Sequence, residues 1–206
     1  VFMRRLTIIC AAALLAMISC VRSGKADGFT REELEILNGT DSIMRVLTVE
    51  DSVDYVVLRA ASRDFSLEEL KSEEFEKLGR RMVATVTHPS QDGVGIAGPQ
   101  VGLNRRIVVV QRFDKSGEPF EVYPNVRIVW MSDSRAYGSE GCLSVPDRRG
   151  NVLRSQEIVI EYADLASLPN NCENIPMVRD TIQGFTAVIF QHEIDHLEGL
   201  LYIDRL

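Results

Sequence analysis

The chain has 206 residues, 45% of them apolar, which allows one domain of ordinary size with a hydrophobic core plus extensions. A formal net charge of −7, with no long run of Lys and Arg, excludes a nucleic-acid surface. Internal repeats and low-complexity blocks are absent.

At the N-terminus, Met3, Arg4 and Arg5 precede a mostly apolar run over 6–18, followed by Ser19 and Cys20. A charged head and a short apolar stretch have the form of a secretory signal, too short for a membrane span of ~20 residues. Met17-Ile18-Ser19-Cys20 resembles a bacterial lipoprotein cleavage site. On that resemblance residues 1–20 are a lipoprotein signal, Cys20 is lipidated, and the protein is membrane-anchored and faces the periplasm or the exterior. A mis-assigned start or a buried arm on a cytoplasmic protein is the alternative. Residues 21–53 are polar and read as a tether and lead-in, with Thr30-Arg31-Glu32-Glu33 as a capping box that opens a short helix ending at Gly39. The catalytic domain is expected to span 54–206.

Ser66-Leu67-Glu68-Glu69 is a second capping box, and Leu67, Leu70, Phe75, Leu78, Met82 and Val86 form an apolar stripe that predicts one helix to about Thr87. His88, before Pro89, ends it as a surface or capping residue. In Gly93-Val94-Gly95-Ile96-Ala97-Gly98-Pro99-Gln100, alternate small residues allow backbone to approach a ligand closely, and Gln100 offers an amide donor. This is no dinucleotide fingerprint, because the third Gly is missing and Pro99 disrupts the expected helix start. Strands are predicted over 106–112, over 121–130 with an interruption at Pro124, and over 152–162, and Trp130 is assigned to the core.

The segment Gln191-His192-Glu193-Ile194-Asp195-His196 contains two of the three His in the chain at H-E-x-x-H spacing. At ~3.6 residues per turn both imidazoles reach one ion, and the Glu between them stands close enough to act as a base on water at that ion. Ile182, Phe185, Ile189, His192 and His196 form one helical stripe, so the His pair continues an inward face. Gly199 offers a stop, and 200–203 reads as a short terminal strand. A third ligand is needed. Of the four Cys, Cys10 and Cys20 lie in the N-terminal apolar segment and Cys172 in a polar loop, which leaves Cys142 in Glu140-Gly141-Cys142-Leu143-Ser144-Val145-Pro146. Two imidazoles, one thiolate and an open position make a tetrahedral catalytic site. The order of elements (helix, strands, metal helix, strand) fits an α+β fold with antiparallel sheets packed around a central helix.

Together the motifs G-x-G-x-A-[AG]-P-Q, E-G-C-L-S and H-E-x-D-H closely resemble the peptide deformylase family over about residues 56–206. The resemblance implies Cys142, His192 and His196 as ligands of one Fe²⁺ or Zn²⁺, with Fe²⁺ the physiological ion. It implies Glu193 as catalytic base, with Gln100 and the Leu143 N–H forming an oxyanion hole. Gly95 and Gly141 match positions where substrate backbone packs, Arg149 a substrate-side Arg, and Arg154 and Asp195 an ion pair behind the metal helix. The implied reaction is hydrolysis of the formyl group from N-formylmethionyl peptides, with the peptide extended beside Val94 and its Met side chain near Phe185, Val188 and Ile189. Gly98 stands where the family usually has Ala, which predicts a looser Gln100 loop. An ordinary zinc endopeptidase and a non-catalytic lipoprotein that keeps the fold are the competing readings. Nothing in the chain speaks to oligomeric state.

Overall fold

Side-chain caps decide where the helices begin. The computed structural model describes residues 28–168 and 174–206, so the expected signal at 1–20, Cys20 within it, and Cys172 lie outside the described residues. Thr30 accepts from the Glu33 amide at 3.2 Å while the Glu33 carboxylate accepts from the Thr30 amide at 2.8 Å, and this reciprocal pair opens α1 (Arg31–Leu37). Asp51 caps α2 (Ser52–Leu58) in one direction only, its carboxylate accepting from the Val53 and Asp54 amides at 2.7 and 3.1 Å. The single helix expected over 66–87 is two, α3 (Leu67–Leu70) and α4 (Glu73–Val86). They separate at Ser72, whose hydroxyl donates to the Glu69 carbonyl at 2.7 Å and accepts from the Phe75 amide at 3.2 Å, a second N-cap set inside the apolar stripe.

The strands of the described residues are β1 (Gly95–Ala97), β2 (Ile107–Gln111), β3 (Phe120–Pro124), β4 (Arg127–Met131), β5 (Arg135–Cys142), β6 (Val145–Ser155), β7 (Glu157–Ala163) and β8 (Met177–Gln183). They form three antiparallel sheets, ordered β1-β2-β3, β4-β7-β8 and β5-β6. The stretch expected as one strand over 121–130 divides between two sheets. Asn125, buried at φ 54°, turns the chain there and clamps the Phe65 amide and carbonyl at 2.8 and 3.0 Å. The expected strand over 152–162 divides similarly at Gln156. Trp130, expected in the core, is 49% exposed on the edge strand β4.

Strand β2 is buried on both faces. Ile107 and Val109 face a cluster with Leu37, Phe65, Leu78, Met82 and Ile96, whereas Val108 and Val110 face one with Ile158, Ile160, Phe190 and Leu197. The second cluster includes α5 (Gly184–Leu197). The stripe predicted for this helix is shortened at its start, since Ile182 belongs to β8 and Phe185 is 58% exposed. From Thr186 to Leu197 nearly every side chain is buried, Glu193 and Asp195 included, so α5 is a central helix and not an amphipathic surface one. Gly199 ends it at φ 71°, where a Cβ would stand 2.4 Å from the Arg59 carbonyl oxygen, so both conformation and space demand Gly. Beyond it the expected strand is a 3-10 turn, Tyr202–Arg205, because the Asp204 carboxylate accepts from the Leu201 amide at 2.8 Å and closes the chain locally.

From Thr30 onward the expected tether is part of the folded body. Leu37, Met44 and Leu47 are buried, the Leu47 amide donates to the Gln100 carbonyl at 2.8 Å, and the Val49 amide donates to the Ser144 carbonyl at 2.9 Å. Leu37, Met44 and Leu47 stand at helical spacing, i, i+7 and i+10, but α1 ends at Leu37 and Met44 and Leu47 lie in irregular backbone, so periodicity misreads them. Among the described residues, no helix is long and apolar enough to cross a membrane.

Candidate metal centre

Helix α5 supplies two imidazoles one turn apart, with ring centroids 5.2 Å from each other. The third donor comes from the tip of the β5–β6 hairpin. There the register jumps from Gly141↔Arg149 to Cys142↔Val145, so residues 146–148 bulge and the strand end bends. Cys142 Sγ stands 3.3 Å from His196 Nε2, and one donor atom from each of Cys142, His192 and His196 lies within 4.8 Å of the others. Bonds of ~2.3 Å to sulfur and ~2.0–2.1 Å to nitrogen at tetrahedral angles set donor atoms about 3.3–3.6 Å apart. The Cys142–His196 spacing fits such an ion, and the third donor lies within about one further ångström of that range.

His192 is oriented from behind. Its Nδ1 donates to the Glu140 carboxylate at 2.8 Å, which leaves Nε2 for the centre. Glu140 also receives two bonds from Arg154, at 2.8 and 3.0 Å, and Arg154 donates to Asp195 at 2.6 Å. Arg205 closes the row with bonds of 2.6 and 2.5 Å to the Asp195 carboxylate. Burial alone would raise the Glu140 pKa, but Arg154 and His192 outweigh it and pull it down to about 2. For His192, burial opposes the charged form, while bonds to Cys142 and Glu140 raise the pKa well above the usual imidazole value. His196, buried near the charges of His192 and Arg154, is pushed well below it. The expected Arg154–Asp195 pair is thus the middle of a longer row.

Glu193 is buried with its Oε2 bonded to no group among the described residues, and burial pushes its pKa up to about 7. It fits only because residue 95 is Gly. A Cβ there would lie 2.5 Å from Glu193 Oε1 and 2.9 Å from its Cγ. Gln100 is held in one orientation, with Oε1 accepting from the Ala97 amide at 2.8 Å. Its Nε2 therefore points to Ser144 Oγ at 3.2 Å and Cys142 Sγ at 3.6 Å. The looser loop expected from Gly98 is not found. A Cβ at 98 would meet the Arg105 carbonyl oxygen at 2.5 Å and the Leu103 carbonyl oxygen at 2.8 Å, so the turn is closed more tightly than Ala would permit on this backbone.

Leu143 occupies the first position of the two-residue hairpin tip, beside Cys142. Gly141 and Arg149 face each other across β5 and β6, both exposed. Val94, half-buried, lies at the entry to β1 and gives its carbonyl to the Gln111 amide at 2.9 Å. Val188, half-buried, sits one turn before His192, whereas Ile189 is turned into the second core cluster. Phe185 is not brought to the ligands: it lies seven residues before His192, roughly 10 Å along the helix, with its ring against Phe113 at 5.3 Å. Glu140, Ser144 and Arg205 were not foreseen. Glu140 had a readable signal, because i and i+2 on a strand share a face and Glu140 precedes Cys142 by two. Arg205 had none.

The polypeptide deformylase family model matches residues 43–206. A peptide deformylase from Leptospira biflexa is 39% identical over 157 residues, spanning 73% of this chain and 82% of that protein. A class I type b peptide deformylase from Acinetobacter baumannii superposes with a TM-score of 0.68 at 34% identity, covering 81% of this chain and 100% of that one. A structure of the same enzyme with Met-Ala-Ser bound gives 0.66 at 33% identity, over 80% of this chain and 98% of that one. With a Cys-His-His donor set on a buried helix and this likeness along the whole domain, the chain belongs to the polypeptide deformylase family, metal-dependent hydrolases that remove the formyl group from nascent peptides.

Proposed function

We propose that Cys142, His192 and His196 hold one divalent ion and that Glu193, Gln100 and the Leu143 N–H perform the hydrolysis around it. The observation that carries this reading is the Glu193 carboxylate, buried beside two ligands with one oxygen left without a partner among the described residues. When bound, the ion supplies Lewis acidity, which makes water acidic enough to serve as nucleophile near neutral pH. Glu193 takes the proton of the attacking water as its oxygen adds to the formyl carbon, then delivers it to the departing amine. The Gln100 amide and the Leu143 N–H donate to the former carbonyl oxygen as it gains charge. The C–N bond breaks and leaves formate and a free α-amine. Among the described residues no strand pairs with the outer edge of β1, because its sheet runs β1-β2-β3, and an extended peptide adds there as a further strand beside Val94 and Gly95. The Met-Ala-Ser held by the Acinetobacter enzyme supports a peptide that begins with Met. Gly141 and Arg149 flank the peptide on the other wall, and Val188 lines the site of its Met side chain. A decayed, non-catalytic protein fits poorly, since the base and the fixed amide are both retained.

For the ion, a thiolate and two imidazoles suit Zn²⁺, which binds more tightly than Fe²⁺. The family resemblance favours Fe²⁺ in the cell. Protein purified without oxygen is expected to carry stoichiometric iron and to deformylate formyl-Met-Ala-Ser while leaving unformylated peptides intact. Zinc alone in that preparation would overturn the iron assignment, and cleavage of internal peptide bonds would overturn the reaction.

Export with lipidation at Cys20 is the proposed location. The described residues begin at Gly28, eight residues after Cys20, so a lipid at Cys20 would hold that end at most about 29 Å from the bilayer surface, at ~3.3–3.6 Å per extended residue. Recovery of unprocessed protein from the soluble cytosolic fraction, unchanged by Cys20→Ala, would defeat this assignment and leave the chemistry intact.

A further inference from the structure

Helix α1 precedes residue 43, where the family match begins, yet it reaches the turn that carries Gln100. The contact is Arg105, whose side chain has 0% exposure and which stands between the rings of Phe29 and Phe65 at 4.9 and 5.2 Å. Its guanidinium donates to both Glu33 oxygens at 2.5 and 2.7 Å, to Glu69 at 2.7 Å, and to the Gly28 carbonyl at 3.1 Å. The backbone of the same residue closes on Gly98, which has no side chain to lock its own position. The Leu103 amide completes the turn by donating to the Gly98 carbonyl at 3.0 Å. On the other side, the strand-like segment after α1 donates from Leu47 to the Gln100 carbonyl and from Val49 to the Ser144 carbonyl.

We propose that Glu33 and Arg105 are positioning residues for the deformylation reaction: their ion pair rivets α1 to the turn over 98–105 and so fixes the amide of Gln100. This rests on the role given above to Gln100 as oxyanion donor. The physical case is one of charge. A guanidinium that is wholly buried needs its carboxylates, and without Glu33 it keeps one of two. It then shifts toward solvent, the Arg105 backbone follows, and the space around Gly98 opens. A misplacement of about 1 Å at a catalytic donor costs up to ~10²-fold in rate.

The test is a cycle of kcat measurements on formyl-Met-Ala-Ser with the full chain. Glu33→Gln keeps the shape of the side chain and removes its charge. We expect kcat to fall about tenfold, within the bound just given, with KM nearly unchanged and full metal content. Gln100→Ala alone is expected to lose ~10²–10³ in kcat, and adding Glu33→Gln to it should lose nothing further. An unchanged kcat in Glu33→Gln, or an equal loss in the Gln100→Ala background, would overturn the proposal, because a merely structural role acts in both backgrounds. Should Glu33→Gln fold poorly, the triple variant that combines Glu33→Gln and Glu69→Gln with Arg105→Met removes the charges of all three side chains. It is expected to recover stability but not kcat, and recovery of both would equally overturn the idea. A Gln100→Ala variant that keeps its kcat would instead show failure of the Gln100 assignment itself, which distinguishes the two outcomes.

Discussion

Glu193 sits in a space that residue 95 leaves open by having no side chain. Adding a methyl there places carbon 2.5 Å from the Glu193 carboxylate, and backbone on one side and a buried helix on the other leave little room to relax. Gly95→Ala is therefore expected to lower kcat at least tenfold by displacing the base, with metal content maintained; metal analysis beside steady-state kinetics checks it. Glu193→Gln keeps the size and removes the base, and should lower kcat by ~10²–10⁴ while the ion stays bound. Retention of substantial turnover would show that the proton goes elsewhere. Cys142→Ala, by contrast, is expected to empty the site, leaving two imidazoles of the donor set.

The hairpin β5–β6 and helix α5 are joined behind the metal centre by one row of charges, and Arg154 is its middle. It touches both Glu140 and Asp195, with 4% of its side chain exposed. Arg154→Met leaves Glu140 with His192 alone and Asp195 with the part-exposed Arg205, and should cost up to ~3–5 kcal/mol in denaturant unfolding. Asp195→Leu should cost less than Arg154→Met, because Glu140 still neutralises Arg154 and Arg205 is part-exposed. Equal stability of both variants and the wild type would show that the row contributes nothing. Pairs of this kind matter about 10–100-fold for metal affinity, so the ion should also dissociate faster from Arg154→Met.

At the level of the whole molecule, the ligands come from two elements that meet only when the chain is folded. Binding of the ion to the folded state alone adds RT ln(1 + [L]/Kd) to stability, so a chelator should lower the melting temperature of the wild type and not of Cys142→Ala. The N-terminal segment brings a pH dependence. Burial opposes the charge of Glu33, but the Arg105 bond and the Thr30 amide prevail and hold its pKa below the ordinary 4.5. A carboxyl lowered on folding stabilises above its unfolded pKa and loses that contribution as the pH falls through the folded value. The stability gap between wild type and Glu33→Gln should thus be full near pH 7 and shrink below about 4.5. A gap of constant size across urea titrations from about pH 7 to 3 would show that the pair carries no charge effect.

What the amino-acid order determined by itself was whatever depends on neighbours within a few residues. The capping boxes at Thr30 and Ser66 appear as read, because both partners of each bond lie three positions apart. The His192–His196 pair is legible for the same reason, and Cys142 follows from the scarcity of other sulfur donors. Tertiary structure decided what depends on residues far apart in the chain. Asn125 divided one apolar run between two sheets, and Trp130 fell on an open edge. Glu140 met His192 across 52 positions, and Glu33 met Arg105 across 72. A charge carries no periodicity, so nothing local announces its partner. The same holds for Gly98, which reads as slack in the sequence and is the tightest point of its turn once Arg105 closes over it.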